Sequence, residues 1–153
     1  MGRRTITSAA GLVLLAGLAA GCADAAPSDA EIDEWLESRP QTMADDAVGA
    51  MSSAIHPGPA AGEPAATLNL GQPADVTGLR VEGLGAENLL VSVAVTTADG
   101  EETLDRTFAC ADDPHEEELT VPGAQRVSVE AFTGDDHVGA VHIEVLGESI
   151  TPG

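Results

Sequence analysis

Lysine and tyrosine are absent from this 153-residue chain, and cysteine, basic and aromatic residues are scarce. Positive charge rests on six arginines facing 26 acidic residues, a formal net charge of −20. A surface of that sign repels nucleic-acid phosphates and anionic headgroups and favours cations or basic partners, so nucleic acid is excluded as a partner. The aromatic residues are Trp35, Phe108 and Phe132. That is too few for the stacked-ring platforms that hold sugars or single-stranded nucleic acid.

Catalytic signatures are also lacking. The sequence holds no G-x-S-x-G, no P-loop, no G-x-G-x-x-G and no C-x-x-C. His115-Glu116-Glu117-Glu118-Leu119 begins like a zinc-protease helix, but Leu119 stands where a second His is required. The chain is therefore read as a non-enzyme. The alternative is a small hydrolase built on scattered carboxylates, or a thiol-active protein using Cys110, for which Arg106 is the one basic neighbour close in sequence, on the same face if no bulge intervenes.

No apolar run is long enough to cross a membrane. Ala9–Ala20 would rise about 18 Å as a helix, short of a hydrocarbon core of about 30 Å. It follows a positive start, Arg3-Arg4, and ends in the small residues Ala19, Ala20 and Gly21 before Cys22. This segment resembles the type II (lipobox) signal peptide of bacterial lipoproteins, with Leu18 one place earlier than the family pattern and Ala19 in its stead. The resemblance implies cleavage between Gly21 and Cys22 and a diacylglycerol on the Cys22 sulfur. Acyl chains at about 0.8 kcal/mol per buried CH₂ would then hold the protein on the extracytoplasmic face of the cell membrane. Lipidation leaves Cys110 single; an unmodified Cys22 could pair with it instead.

Residues 1–21 thus read as signal peptide and 22–27 as a lipidated tether reaching at most about 18 Å. Residues 28–55 read as a short helical segment. Ser28 and Glu31 match the S-x-x-E capping box, and Ile32, Trp35 and Leu36 follow at helical spacing. Arg39-Pro40 stops that helix. Thr42 and Asp45 would cap a second, with Met43, Ala47, Val48, Met51 and Ile55 as its apolar stripe. Residues 56–66 are rich in Pro, Gly and Ala and read as a linker.

From residue 67 to 148, period-two alternation recurs between turns. It predicts strands over 67–70, 78–83, 88–97, 102–110, 118–121, 126–132 and 137–146, with a hairpin turn at Ala98-Asp99-Gly100. Residues 149–153 are a tail. The expected fold is mainly β, a small seven-stranded antiparallel β-sandwich, Ig-like or barrel-like, preceded by one or two short helices. Leu79, Val81, Leu89, Val91, Val93, Val95, Leu104, Phe108, Leu119, Val121, Val127, Val129, Val141, Ile143 and Val145 are expected to face inward. Arg80, Glu82, Ser92, Thr96, Ser128, Glu130, His142 and Glu144 are expected to face out. The layout as a whole resembles small envelope lipoproteins of high-GC bacteria.

Strand parity sends the links after strands two, four and six to one end of the domain. They bring Glu87, Asp112, Asp113, His115, Glu116, Glu117, Asp135, Asp136 and His137 together. Hard cations take six to eight oxygen ligands from such loops, so Ca²⁺, or a transition metal through the imidazoles, is the cofactor to test; otherwise none is expected. The leading functional reading is a membrane-anchored binding module with an envelope protein as partner, and cation binding is the alternative.

Overall fold

The computed structural model describes residues 26–39, 43–57, 64–85, 88–109, 114–133 and 138–151. Ser28 opens helix α1 (Asp29–Ser38) through the expected box. The Glu31 amide donates to Ser28 Oγ at 3.3 Å, and the Ser28 amide donates to Glu31 Oε2 at 2.7 Å, which satisfies two amides the first turn would leave bare. The Ser28 amide, then its hydroxyl, holds the Glu31 carboxyl below its usual range. Ile32 is buried, and Trp35 and Leu36 are half-buried.

Six strands follow: β1 (Ala47–Ile55), β2 (Ala66–Leu84), β3 (Asn88–Thr96), β4 (Glu101–Ala109), β5 (His115–Thr133) and β6 (Gly139–Ser149). They form one sheet in the order β1-β6-β2-β5-β3-β4, every pair antiparallel. The protein is mainly β, as expected. The strand count and the second helix need correction.

The second helix expected in 28–55 is instead strand β1, and residues 56–66 join two strands of one sheet. Residues 47–55 fit both periods, since Val48, Met51 and Ile55 suit a helix while Gly49, Met51, Ser53 and Ile55 alternate. Gly49, Ser52 and Ser53 weaken the helix. Pairing along β6, from Ala47 opposite Leu146 to Ile55 opposite Gly139, decides for the strand. Gly49 also lets β2 come close, because a Cβ there would collide with Leu68 Cδ2.

Seven expected strands become six because two pairs fuse and β1 is added. The first two are both part of β2, and 118–121 and 126–132 are both part of β5. Gly71 to Pro73 and Pro122-Gly123 read as turns, yet the ladder absorbs them as irregularities. Between Asn69↔Arg126 and Ala74↔Ala124, β2 runs ahead of β5, and two further shifts take back part of that advance. Gly123 takes φ +68, which glycine adopts without the Cβ penalty, and its amide donates to Asp75 Oδ1 at 3.0 Å.

The expected inward set is the core. Leu79, Val81, Leu89, Val91, Val93, Val95, Val121, Val127, Val129, Val141, Ile143 and Val145 are buried, and Leu104, Phe108 and Leu119 pack partly buried against them. Ile55, Val76, Ala124 and Ala131 join the same cluster. The β3–β4 hairpin turns at residues 97–100, where the Thr97 amide donates to the Gly100 carbonyl at 2.7 Å.

Parity also holds at the strand ends. Leu84 pairs with Ala140, Asn88 with Ala109, Leu89 with Thr133 and Val81 with His115, so the connections after β2, β4 and β5 leave from one end. Pro27 sits at that end against Gly85, close enough that a Cβ on Gly85 would strike its ring.

The closest backbone approach tests the fold. A Cβ on Gly147 would overlap the Asp75 carbonyl oxygen across the β2–β6 ladder, whereas one on Gly71 would meet nothing within 4 Å. Gly147→Ala is expected to cost roughly 1–3 kcal/mol and Gly71→Ala less than about 0.5 kcal/mol, read from urea unfolding midpoints. Equal midpoints would contradict this register.

Candidate functional site: the polar layer beneath the helix

β6 is buried on both faces. Val141, Ile143 and Val145 enter the apolar core, so Ala140, His142, Glu144 and Leu146 lie on the other face. His142 and Glu144 were expected at solvent. Their parity is as expected but their exposure is not, at 4% and 5%. The cover is α1, which packs across β6 and β1.

Register builds the layer row by row. Ser52, His142 and Glu82 lie abreast on β1, β6 and β2, and the next row is Ala50, Glu144, Arg80 and Glu116. Ser52 Oγ lies 2.7 Å from His142 Nδ1. Glu144 Oε2 accepts from Arg80 Nη1 at 2.7 Å, and Oε1 accepts from the Ala44 amide at 3.2 Å. Arg80 also donates from Nε and Nη2 to Glu116 Oε1, at 3.0 and 2.6 Å. Arg39, following α1, donates to Glu82 and lies 4.4 Å over the Trp35 ring.

These partners fix the charge states. Arg80 is held protonated even more firmly than usual by its bonds to Glu116 and then Glu144. Burial pushes the His142 imidazole below its ordinary value and Arg39 reinforces the shift, while Glu82 and Glu144 oppose it. His142 is therefore neutral near pH 7.

Serine, histidine and a carboxylate lie together here, but the geometry is not that of a working triad. His142 Nε2 is 3.9 Å from Glu144 Oε1, beyond hydrogen-bond length, and both Glu144 oxygens already hold other donors. His142 is also covered. The arrangement suits attachment of α1 to the sheet.

The expected cation set does not converge where it is described. His115, at the start of β5, has its ring 5.8 Å from that of Phe108, while the neighbouring Glu116 is held by Arg80 on the opposite face. Glu117 takes Arg106 Nε at 2.5 Å. Among the described residues no group of three or more His, Cys, Asp or Glu could hold a metal ion. Glu87, Asp112, Asp113, Asp135, Asp136 and His137 lie outside the described residues, as do Gly21, Cys22 and Cys110.

Sequence reasoning missed Ser52, because its segment read as helix. It placed Arg80, Glu82, His142 and Glu144 on outward faces without pairing them. The available signal was ionisable residues recurring at i, i+2 around a β-branched residue on two strands, Arg80 and Glu82 around Val81 and His142 and Glu144 around Ile143.

No protein-family model and no curated protein matches the chain. Among solved structures, the crystal structure of the infectious bursal disease virus VP2 subviral particle is similar at 15% identity. The match covers 67% of this chain and 31% of that one, with a TM-score of 0.23. At that value the likeness carries no argument.

Two predictions come from the layer. Arg80→Met leaves Glu144 buried without its cation and is expected to cost about 3 kcal/mol, much of it recovered in Arg80→Met/Glu144→Met; Glu116→Gln, at the exposed end, should cost less than about 1 kcal/mol. Urea midpoints of the three variants decide it. For His142, the unfolded chain binds more protons than the folded one between the lowered folded value and the ordinary 6.5. Stability is thus complete above pH 6.5 and falls as pH drops below it; melting temperatures between pH 7.5 and 5 should show that slope, flattened in His142→Asn.

Proposed function

We propose that this protein is a lipid-anchored extracytoplasmic protein of the cell envelope whose β domain acts as a binding module rather than an enzyme. The observation that carries the reading is the lipobox-like run ending at Cys22, five residues before Pro27, which already packs on Gly85. Only Ala23 to Ala26 separate the anchor from the folded domain. The end bearing Gly85 then lies within about 18 Å of the membrane. The sheet is proposed to double over into a sandwich-like pair of layers, a reading supported by the approach of Leu68 on β2 to Gly49 on β1.

The net charge of −20 favours a basic protein partner over nucleic acid or bare anionic lipid. Among the described residues no helix is long and apolar enough to cross a membrane. Attachment is proposed to rest on the acyl chains of Cys22. Cys22→Ser is expected to shift the protein from the membrane fraction into soluble or uncleaved form on fractionation. Unchanged membrane retention would overturn the anchor.

A further inference from the structure

We propose that α1 is a detachable strap, released from β6 and β1 by mild acid while the sheet stays folded. At ten residues α1 is too short to be stable in water by itself, so its persistence depends on docking. The docking is thin. Ile32 is the single fully buried side chain of the helix, Trp35 and Leu36 are only half-buried, and the polar fastenings are Arg39 to Glu82 and the Ala44 amide to Glu144. Arg39 Nε is buried with no acceptor among the described residues, so even this latch is incompletely satisfied.

Beneath the strap lie groups that gain water when it lifts. His142 faces Glu82 from β2, Glu144 on its own strand with Arg80 beside it in the next row, Ser52 from β1 and Arg39 from the end of α1. The acids of α1 itself, Asp29, Glu31, Asp33, Glu34 and Glu37, are exposed. A proton placed on His142 under the helix must remain poorly hydrated, a cost that Glu82 and Glu144 offset only in part and Arg39 adds to; with α1 lifted the imidazolium is hydrated. Below the strap the sheet keeps its own core, since Val141, Ile143 and Val145 use the opposite face. Release therefore needs no unfolding of β6.

The consequence for reach rests on the lipid-anchor reading. Docked, the link from Cys22 ends at Pro27; released, residues 22–45 become tether up to Asp46, whose carbonyl holds the Gly147 amide, with a fully extended limit of about 80 Å. Mild acid would let the β domain move away from the membrane.

Trp35 is the only tryptophan in the chain and lies on the strap, so it reports release directly. Acrylamide quenching of the full chain is expected to rise about twofold from pH 7.5 to 5.5, with the β-sheet circular dichroism unchanged. His142→Asn should abolish that rise, and Arg39→Gln should show high quenching already at pH 7.5. Quenching that is equal at both pH values, that rises only with loss of the sheet signal, or that persists in His142→Asn overturns the strap. Quenching in solution does not depend on Cys22, so failure here is separate from failure of the anchor.

Discussion

A carboxylate that should be in water, Glu144, is buried and satisfied, and the rest of the arrangement depends on it. Arg80 supplies the cation and the Ala44 amide a second donor, so the oxygens are occupied from both the sheet and the chain that follows α1. Remove the pairing and the layer between helix and sheet becomes an uncompensated charge in a poorly hydrated place. Keep it, and a strand with polar residues on one face can be buried on both.

That layer divides the molecule into two kinds of cohesion. On one side of β6 the contacts are apolar and continuous, drawn from β1, β2, β3, β5 and β6. On the other side a ten-residue helix is held by one buried isoleucine, the half-buried Trp35 and Leu36, and a few charged or hydrogen-bonded groups. The first kind resists pH and salt; the second responds to both, since ion pairs are screened and histidine titrates. The responsive element is also the one that adjoins the membrane-anchoring segment proposed for this chain.

Much of the sheet was legible in the sequence because valine and leucine alternate so regularly from Leu79 to Val145. All the inward residues named from that alternation are buried or pack on the core. What misled was local punctuation. Pro73 and Pro122-Gly123 look like strand ends but sit at irregularities inside long strands, a choice made by neighbouring strands and invisible in a local window. In the same way, Ala47–Ile55 carries a helical stripe and a strand alternation at once, and only the partner β6 selects between them. The polar layer escaped for a related reason: His142 and Glu144 were assigned the right face, but no local pattern tells that a helix at Asp29–Ser38, far earlier in the chain, will cover it.

The strap requires that helix and sheet be separable units of stability. Native-state hydrogen exchange at pH 7 tests this most directly, comparing amides of Ile32 to Leu36 with those of Val141 to Val145. The account predicts that the helix exchanges through local opening, at least about a hundredfold faster and with little dependence on low denaturant, while β6 exchanges only by global unfolding. Equal opening free energies with the same denaturant slope in both segments would contradict it.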